Sequence, residues 1–251
     1  MLQNGVFMER CDFVNDSLKL IQNTEGLTFG TDALLLAGYI TGKRASGCEL
    51  GGGSGIISML LLTREKLKEA LTLEVQEEYA ELIEKNARLN GLENRLFCRH
   101  ADVRNYVSDK EFDLVYTNPP YMKADSGKAN LIEKKNIARH EVMGDINDFC
   151  KAGARLLKFG GSFAAVYRPD RLCDLVYALR QNSLEIKRMT FVHADQSAEP
   201  SMVLIEAKKG GKSGMQLTRP LIIYRDREHK DYSDDMNYIM ENGSFPSYFK
   251  R

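Results

Sequence analysis

The stretch Glu49-Leu50-Gly51-Gly52-Gly53-Ser54-Gly55 decides the fold. Cys48-Glu49-Leu50 enters it as a short strand and Ile56-Ile57-Ser58-Met59-Leu60-Leu61-Leu62 leaves it as a helix, the opening of a βαβ unit. Glycines stand at 51, 53 and 55, but the place of a dinucleotide fingerprint's third glycine is taken by Ile56. That glycine is what lets a helix pack closely around a pyrophosphate, so nicotinamide binding is disfavoured. A G-x-G-x-G turn after an acidic residue suits a cofactor without a diphosphate, whose amino-acid end meets backbone groups and the Glu49 region.

Downstream, the strand Leu71–Glu74 precedes an amphipathic helix from Gln76 to Asn90 that carries Tyr79, Leu82, Ile83 and Leu89 and stops at Gly91. A third strand, Arg95–His100, leads into Ala101-Asp102, and a fourth, Phe112–Thr117, delivers Asn118-Pro119-Pro120-Tyr121 at its carboxyl end. Open α/β sheets bind ligands at that end. Residues 122–144 lack periodicity and read as a long functional loop. The pattern then predicts a helix over Ile146–Lys158, a strand over Phe163–Tyr167 after Gly160-Gly161, and a helix over Asp170–Asn182. An antiparallel hairpin of Ile186–Val192 and Met202–Glu206 follows, separated by a loop too short for a crossover helix.

Upstream, residues 1–27 alternate as a small β-ribbon, and Thr31 or Asp32 is placed to cap a helix with Leu34, Leu35, Leu36 and Ile40, closing near Gly42. Beyond Lys208 a strand at Leu221-Ile222-Ile223-Tyr224 and a C-terminal helix are expected. The division expected is an N-terminal β extension (1–30), a main domain (31–210) and a C-terminal extension (211–251).

Composition narrows the partners. The 251 residues carry 35 basic and 35 acidic side chains, so a nucleic acid must be met by a local patch rather than by the field of the whole molecule. Cys11, Cys48, Cys98, Cys150 and Cys173 include no C-x-x-C pair, which argues against a zinc knuckle or redox dithiol and for reduced thiols in a cytoplasmic protein. No metal is expected. An N-terminus with Glu9, Arg10, Asp12 and Asp16 lacks a signal-like apolar run, and no stretch approaches the ~20 apolar residues of a membrane span.

The strand ends carry the chemistry. Glu74 stands 23 positions after Gly51, where a carboxylate accepts from both ribose hydroxyls. Asp102, with Val103 beside it, is placed to accept from an adenine amino group. Amino acid, ribose and adenine together describe S-adenosylmethionine. Asn118-Pro119-Pro120-Tyr121 suits its acceptor, a planar amino group whose delocalised lone pair makes it a poor nucleophile. Asn118 offers a side-chain oxygen and Pro119 a carbonyl to its two hydrogens, Pro119 and Pro120 stiffen the loop, and Tyr121 stacks on the plane. In-line attack on a methyl group then needs neither metal nor strong base. Between Lys123 and His140, five basic residues (Lys123, Lys128, Lys134, Lys135, Arg139) against Asp125 and Glu133 read either as a grip on phosphates or as a solvated loop.

Phe29-Gly30-Thr31-Asp32-Ala33-Leu34-Leu35-Leu36, the glycine turn, Asn86-Ala87-Arg88-Leu89-Asn90, Ala101-Asp102, Phe112 through Tyr121 and Ala138-Arg139-His140-Glu141 resemble the bacterial methyltransferases that make N6-methyladenosine beside the anticodon of valine tRNA. The likeness spans roughly residues 10–210. It implies a Rossmann-like class I S-adenosylmethionine-dependent methyltransferase with a seven-stranded, mostly parallel sheet, a tRNA substrate modified at position 37, and a cofactor bound by Thr31, Glu49, Gly51, Gly53, Ser54, Gly55, Glu74, Asp102, Val103 and Asn118. By resemblance, Thr31 borders the methionine end. Glu49 departs from the aspartate of many relatives. The asparagine-proline-proline-tyrosine motif is shared with release-factor glutamine and DNA adenine methyltransferases, so a protein-glutamine methyltransferase and a cofactor-binding module without turnover remain open.

Overall fold

The computed structural model describes residues 9–15, 18–23, 30–119 and 144–250. Strands β3 (Arg44–Leu50), β4 (Leu67–Glu74), β5 (Leu96–His100), β6 (Phe112–Thr117) and β7 (Leu157–Tyr167) lie parallel. The long strands β8 (Leu184–His193) and β9 (Pro200–Lys209) form an antiparallel hairpin, with β9 against β7. The order β5-β4-β3-β6-β7-β9-β8 reverses between β3 and β6, the switch point at which such sheets bind ligands.

The expected seven strands are all present, and among the described residues the sheet has nine. Two-residue strands β10 (Gln216–Leu217) and β11 (Leu221–Ile222) pair in parallel with β8 at its outer edge. They cover backbone groups that an edge strand would otherwise expose. The expected C-terminal helix is also present, as Asp234–Asn242.

Helices cover both faces, and the period-2 alternation of the strands divides the core accordingly. Leu114, Tyr116, Ala164, Val166 and Leu204 face α1 (Thr31–Tyr39) and α2 (Ile56–Thr63). Val115, Phe163, Ala165, Val203 and Ile205 face α4 (Ile146–Leu156) and α5 (Leu172–Gln181). Helix α3 (Glu77–Leu89) packs against β4 and β5, and α6 (Asp234–Asn242) against β11.

Several strands run longer than expected, β3 from Arg44, β4 from Leu67, β8 over Leu184–His193 and β9 over Pro200–Lys209, and three helix boundaries differ for identifiable reasons. Gly30, not Thr31 or Asp32, is the N-cap of α1, with no side-chain cap bond. Helix α4 ends at Leu156 rather than Lys158, because β7 begins at Leu157, ahead of Gly160-Gly161; Leu157 pairs with Phe112 before the register shifts. Pro169–Arg171 is a 3-10 turn, so α5 starts at Leu172 instead of Asp170.

Buried polar side chains tie the extensions to this frame. The expected N-terminal ribbon is a hairpin of β1 (Glu9–Asn15) and β2 (Leu18–Asn23). Asn90 of the α3 C-cap pairs with the N–H and carbonyl of Lys19 at 2.9 and 2.8 Å, and Asn86 does the same for Ile21 at 2.7 and 3.0 Å. Side chains four apart on a helix thus match residues two apart on a strand, and the amides stand in for a neighbouring strand. Asn86 also donates to the Ser54 carbonyl at 3.0 Å, which links the hairpin to the glycine turn. At the other end, buried Arg188 of β8 donates to the carbonyls of Phe249 (3.0 Å) and Tyr39 (2.6 Å), pairs with Glu206 (3.0 Å) and stacks on the Tyr39 ring. Phe245 and Phe249 are fully buried, edge-on to one another, with Phe245 edge-on to Tyr39.

The glycine turn is anchored from beneath. Glu49 is 1% exposed, and its Oε2 accepts from the Ser58 backbone N–H at 3.2 Å and from the Ser58 hydroxyl. Ser58 Oγ also lies 2.7 Å from the Tyr116 hydroxyl and 3.3 Å from Thr72 Oγ1. Burial pushes the Glu49 carboxyl up from 4.5 to about 8, against the Ser58 bonds that favour its charged form.

Two expectations follow. As pH rises from 4.5 to about 8 the unfolded state loses the Glu49 proton while the folded state keeps it, so this group's contribution to stability declines across that window. Thermal melts should therefore show Glu49→Gln gaining on wild type steadily from pH 5 to pH 8, and a difference independent of pH would refute the buried-carboxyl account. Phe249→Ala should lower unfolding free energy by about 3–5 kcal/mol in urea titrations, the usual cost of deleting a buried phenylalanine; a loss below ~1 kcal/mol, the scale of a surface change, would mean the tail is not part of the core.

Candidate active site

Four neighbouring strands deliver the candidate residues to one edge of the sheet. Leu50 of β3 pairs with Thr117 of β6, and the Thr117 hydroxyl donates to the Leu50 carbonyl at 2.8 Å. Gly51 and Asn118 are the next residues on each strand and so emerge about 5 Å apart, the spacing of paired strands. On the far side, Leu73 of β4 pairs with Leu50 and Glu74 with His100, placing Glu74 and then Ala101-Asp102 in the same row.

The turn itself is built from left-handed backbone. Gly51, Gly53 and Gly55 have φ of +71°, +54° and +79°, a region that side chains disfavour. The N–H groups of Gly51 and Gly52 are held by the Leu73 carbonyl at 2.9 and 3.3 Å. A Cβ at Gly52 would lie 2.0 Å from Thr72 Cγ2, so the turn sits flush against β4. A Cβ at Gly53 would meet nothing within 4 Å, so the turn opens outward there.

Glu74 closes one side of this opening. It is 2% exposed, and its Oε2 accepts from Gly53 N–H at 2.9 Å while Oε1 accepts from Gln76 N–H at 3.0 Å. Asp102 stands beyond it, with both oxygens held by Arg104 at 2.5–2.9 Å; the guanidinium keeps its carboxyl below the usual carboxylate range. Val103 turns its side chain into the core and gives its carbonyl to Arg155 at 2.7 Å. Ser54 is buried, and Thr31 opens α1 half-buried. Glu49 was read as meeting the cofactor's amino-acid end, but its Oε2 is turned to Ser58 on α2, which makes it a support for the turn.

Asn118 holds the other side. Its Nδ2 donates to Asp32 Oδ2 at 2.8 Å, while its Oδ1 is buried and has no hydrogen-bond partner among the described residues. Buried carbonyl oxygens are nearly always paired, so an orphan at the sheet's switch point marks a place where a donor belongs. Beside it, Pro119 borders a cavity of about 220 Å³ formed with Ile146, Phe149, Tyr167, Arg168 and Tyr177. A Cβ at Gly51 would lie 3.4 Å from the Phe149 ring, so this ring lies between the cavity and the glycine turn. Pro120, Tyr121 and the Lys123–His140 stretch fall outside the described residues.

The sequence reading missed Asp32 as a site residue, having given it only a capping role. The signal was its place in Thr31-Asp32 at the mouth of a helix; nothing in the sequence says that this helix start meets the end of β6. Among the described residues, no group of three or more His, Cys, Asp or Glu side chains could hold a metal ion, and no helix is long and apolar enough to cross a membrane.

Comparison with known proteins agrees with this geometry. The chain is similar to a tRNA1(Val) (adenine(37)-N6)-methyltransferase of Phocaeicola vulgatus, at 27% identity over 71% of this chain and 76% of that protein. A protein of the same name from a Flavobacteriaceae bacterium is 25% identical over 74% and 78%. In fold, the chain is similar to the crystal structure of a predicted O-methyltransferase from Agrobacterium tumefaciens, with a TM-score of 0.69 and 20% identity over 86% of this chain and 98% of that one. The model of the methyltransferase small domain matches residues 24–171, more than half of the sequence, and the chain belongs to that family.

Proposed function

We propose that this protein uses S-adenosylmethionine to methylate the N6 nitrogen of an adenine in tRNA, at position 37 beside the anticodon of valine tRNA. The observation that carries the chemistry is the buried Oδ1 of Asn118, unpaired among the described residues, one residue beyond the Leu50–Thr117 pair and therefore next to the glycine turn. The choice of tRNA rests on the relatives at 27% and 25% identity that bear that activity in their names. A tRNA substrate implies a cytoplasmic site of action. The segment after residue 210 is taken as an extension of the 31–210 methyltransferase domain, and its two strands lengthen the same sheet.

The cradle fits the cofactor. Open space at Gly53 leaves room for a ligand against the turn, and the Glu74 carboxylate at its rim suits ribose hydroxyls. Thr31, Gly51, Ser54 and Gly55 are assigned to the amino-acid end, and Asp102 with Val103 to the adenine. Bound there, S-adenosylmethionine supplies an electrophilic methyl group. The chain's own residues prepare the nucleophile. Asn118 Oδ1 and the Pro119 carbonyl accept from the two amino hydrogens, drawing the nitrogen lone pair out of conjugation and toward the methyl. Tyr121, by its place in the motif, stacks on the ring; Pro120 keeps the turn stiff. On transfer the methyl would pass to the nitrogen with S-adenosylhomocysteine as the leaving group, and the nitrogen would lose one proton to solvent while Asn118 Oδ1 and the Pro119 carbonyl keep it in position. The basic stretch from Lys123 to His140 is assigned to the tRNA backbone.

Nucleoside mass spectrometry of valine tRNA from a strain lacking this protein should show loss of one N6-methyladenosine; retention of every such nucleoside would overturn the tRNA assignment. If purified protein instead labels only release factor, the glutamine reading replaces it. Asn118→Ala should lower kcat by about 10²–10³-fold, as when one transition-state hydrogen bond is removed. Unchanged turnover in that variant would remove the residue from catalysis.

A further inference from the structure

We infer that Asp32 is the positioning residue that sets which end of the Asn118 amide faces the acceptor. This rests on the methyltransferase reading above and extends it to a side chain outside the acceptor motif. Asp32 accepts at both oxygens: Oδ1 takes the Ala33 backbone N–H at 2.9 Å, and Oδ2 takes Asn118 Nδ2 at 2.8 Å, across 86 residues of sequence.

An amide has one accepting and one donating end of nearly the same shape, so its orientation is set by its partners. A carboxylate at 2.8 Å admits only the donating end. Asn118 Oδ1 is thereby turned away from Asp32 and left buried without a partner among the described residues. A flipped amide would present hydrogens to an amino group that needs an acceptor. The same bond transmits charge: an N–H held by a carboxylate polarises the amide and makes its oxygen a stronger acceptor for a nitrogen gaining positive charge.

The local backbone is shaped for this arrangement. Gly30 caps α1, and a Cβ there would lie 2.7 Å from Asp32 Oδ1, so a side chain at position 30 would displace the carboxylate from Ala33. The Ala33 N–H, shared between the Gly30 carbonyl at 3.2 Å and Asp32 Oδ1 at 2.9 Å, holds one oxygen and aims the other.

Asp32→Asn decides the matter. The single oxygen of the new amide is retained by Ala33 N–H, its NH₂ faces Asn118, and the Asn118 amide must flip. Steady-state kinetics on tRNA should show kcat falling by about 10²–10³-fold, while KM for tRNA and the dissociation constant for S-adenosylhomocysteine stay within ~3-fold of wild type. Adding Asn118→Asp to Asp32→Asn restores a donor-to-acceptor pair with a free oxygen toward the substrate, and kcat should recover by about tenfold or more over the single Asp32→Asn variant, a coupling of the usual size for hydrogen-bonded neighbours. Asn118→Asp alone, which sets two carboxylates face to face, should not match that double variant. The inference is overturned if Asp32→Asn keeps kcat within ~3-fold, if cofactor affinity falls in parallel with kcat, or if the double variant gives no recovery. Side-chain amide spectra separate this from the function itself: the Asn118 NH₂ resonance, assigned by its loss in Asn118→Ser, should shift in Asp32→Asn. A wild-type protein that transfers no methyl to tRNA but shows this shift would fail the functional proposal and not the positioning one, whereas no shift would fail the latter.

Discussion

The pairing of Leu50 with Thr117 is the constraint on which the site depends. It places the end of β3 beside the end of β6 in parallel register, so that the first residue past each strand, Gly51 and Asn118, emerges on the same edge. In a parallel sheet a slip of one residue would turn every side chain to the opposite face, and here both faces are buried, so the register is strongly specified. Glu74 and Asp102 are carried to the same edge by the next two strands. The candidate site is in this sense a property of the sheet, and the loops only complete it.

Around that frame the chain uses buried polar side chains where apolar packing would give no direction. Glu49, Ser58, Tyr116 and Thr72 join the strand before the glycine turn to the helix after it. Asn86 and Asn90 bind the N-terminal hairpin through its backbone, and Asn86 reaches on to Ser54 in the turn. Arg188 ties the C-terminal Phe249 to the end of α1 at Tyr39. Such networks are costly if half-satisfied, and among the described residues most of their atoms are paired; the buried side-chain atoms without a partner there are Arg188 Nε and Asn118 Oδ1. The termini therefore act on the site indirectly. The hairpin steadies the turn through Asn86, and the tail steadies the helix whose first turn carries Asp32.

Much of the sheet was legible because several strands are short apolar runs ended by a turn residue, as β3 is by Gly51, β6 by Asn118 and β9 by Gly210. Phe112–Thr117 was read with its observed bounds, and β3 and β4 were recognised from their carboxyl ends though they begin earlier, at Arg44 and Leu67. Errors fell where tertiary pairing overrode local pattern. Leu157 and Lys158 continue the helical pattern of α4, but Leu157 is taken by Phe112 of β6. The edge strand β10 is two residues long, too short for any periodicity, and exists because β8 offers it a partner, whereas β11 falls at the start of the strand expected at Leu221–Tyr224. Asp32 looked like a helix cap because local sequence cannot show a partner 86 residues away.

The sequence by itself determined the chemistry available: a glycine turn without a dinucleotide's third glycine, carboxylates at successive strand ends, and an asparagine-proline-proline-tyrosine motif, each readable because backbone conformation and donor–acceptor type are local properties. Only the tertiary structure decided which way the polar groups point. It turned Glu49 inward to Ser58, set Glu74 on Gly53, and oriented Asn118 against Asp32 with its oxygen turned away. The physical reason is that a hydrogen bond's direction depends on partners brought near by strand register and helix packing, and those lie far apart in the chain.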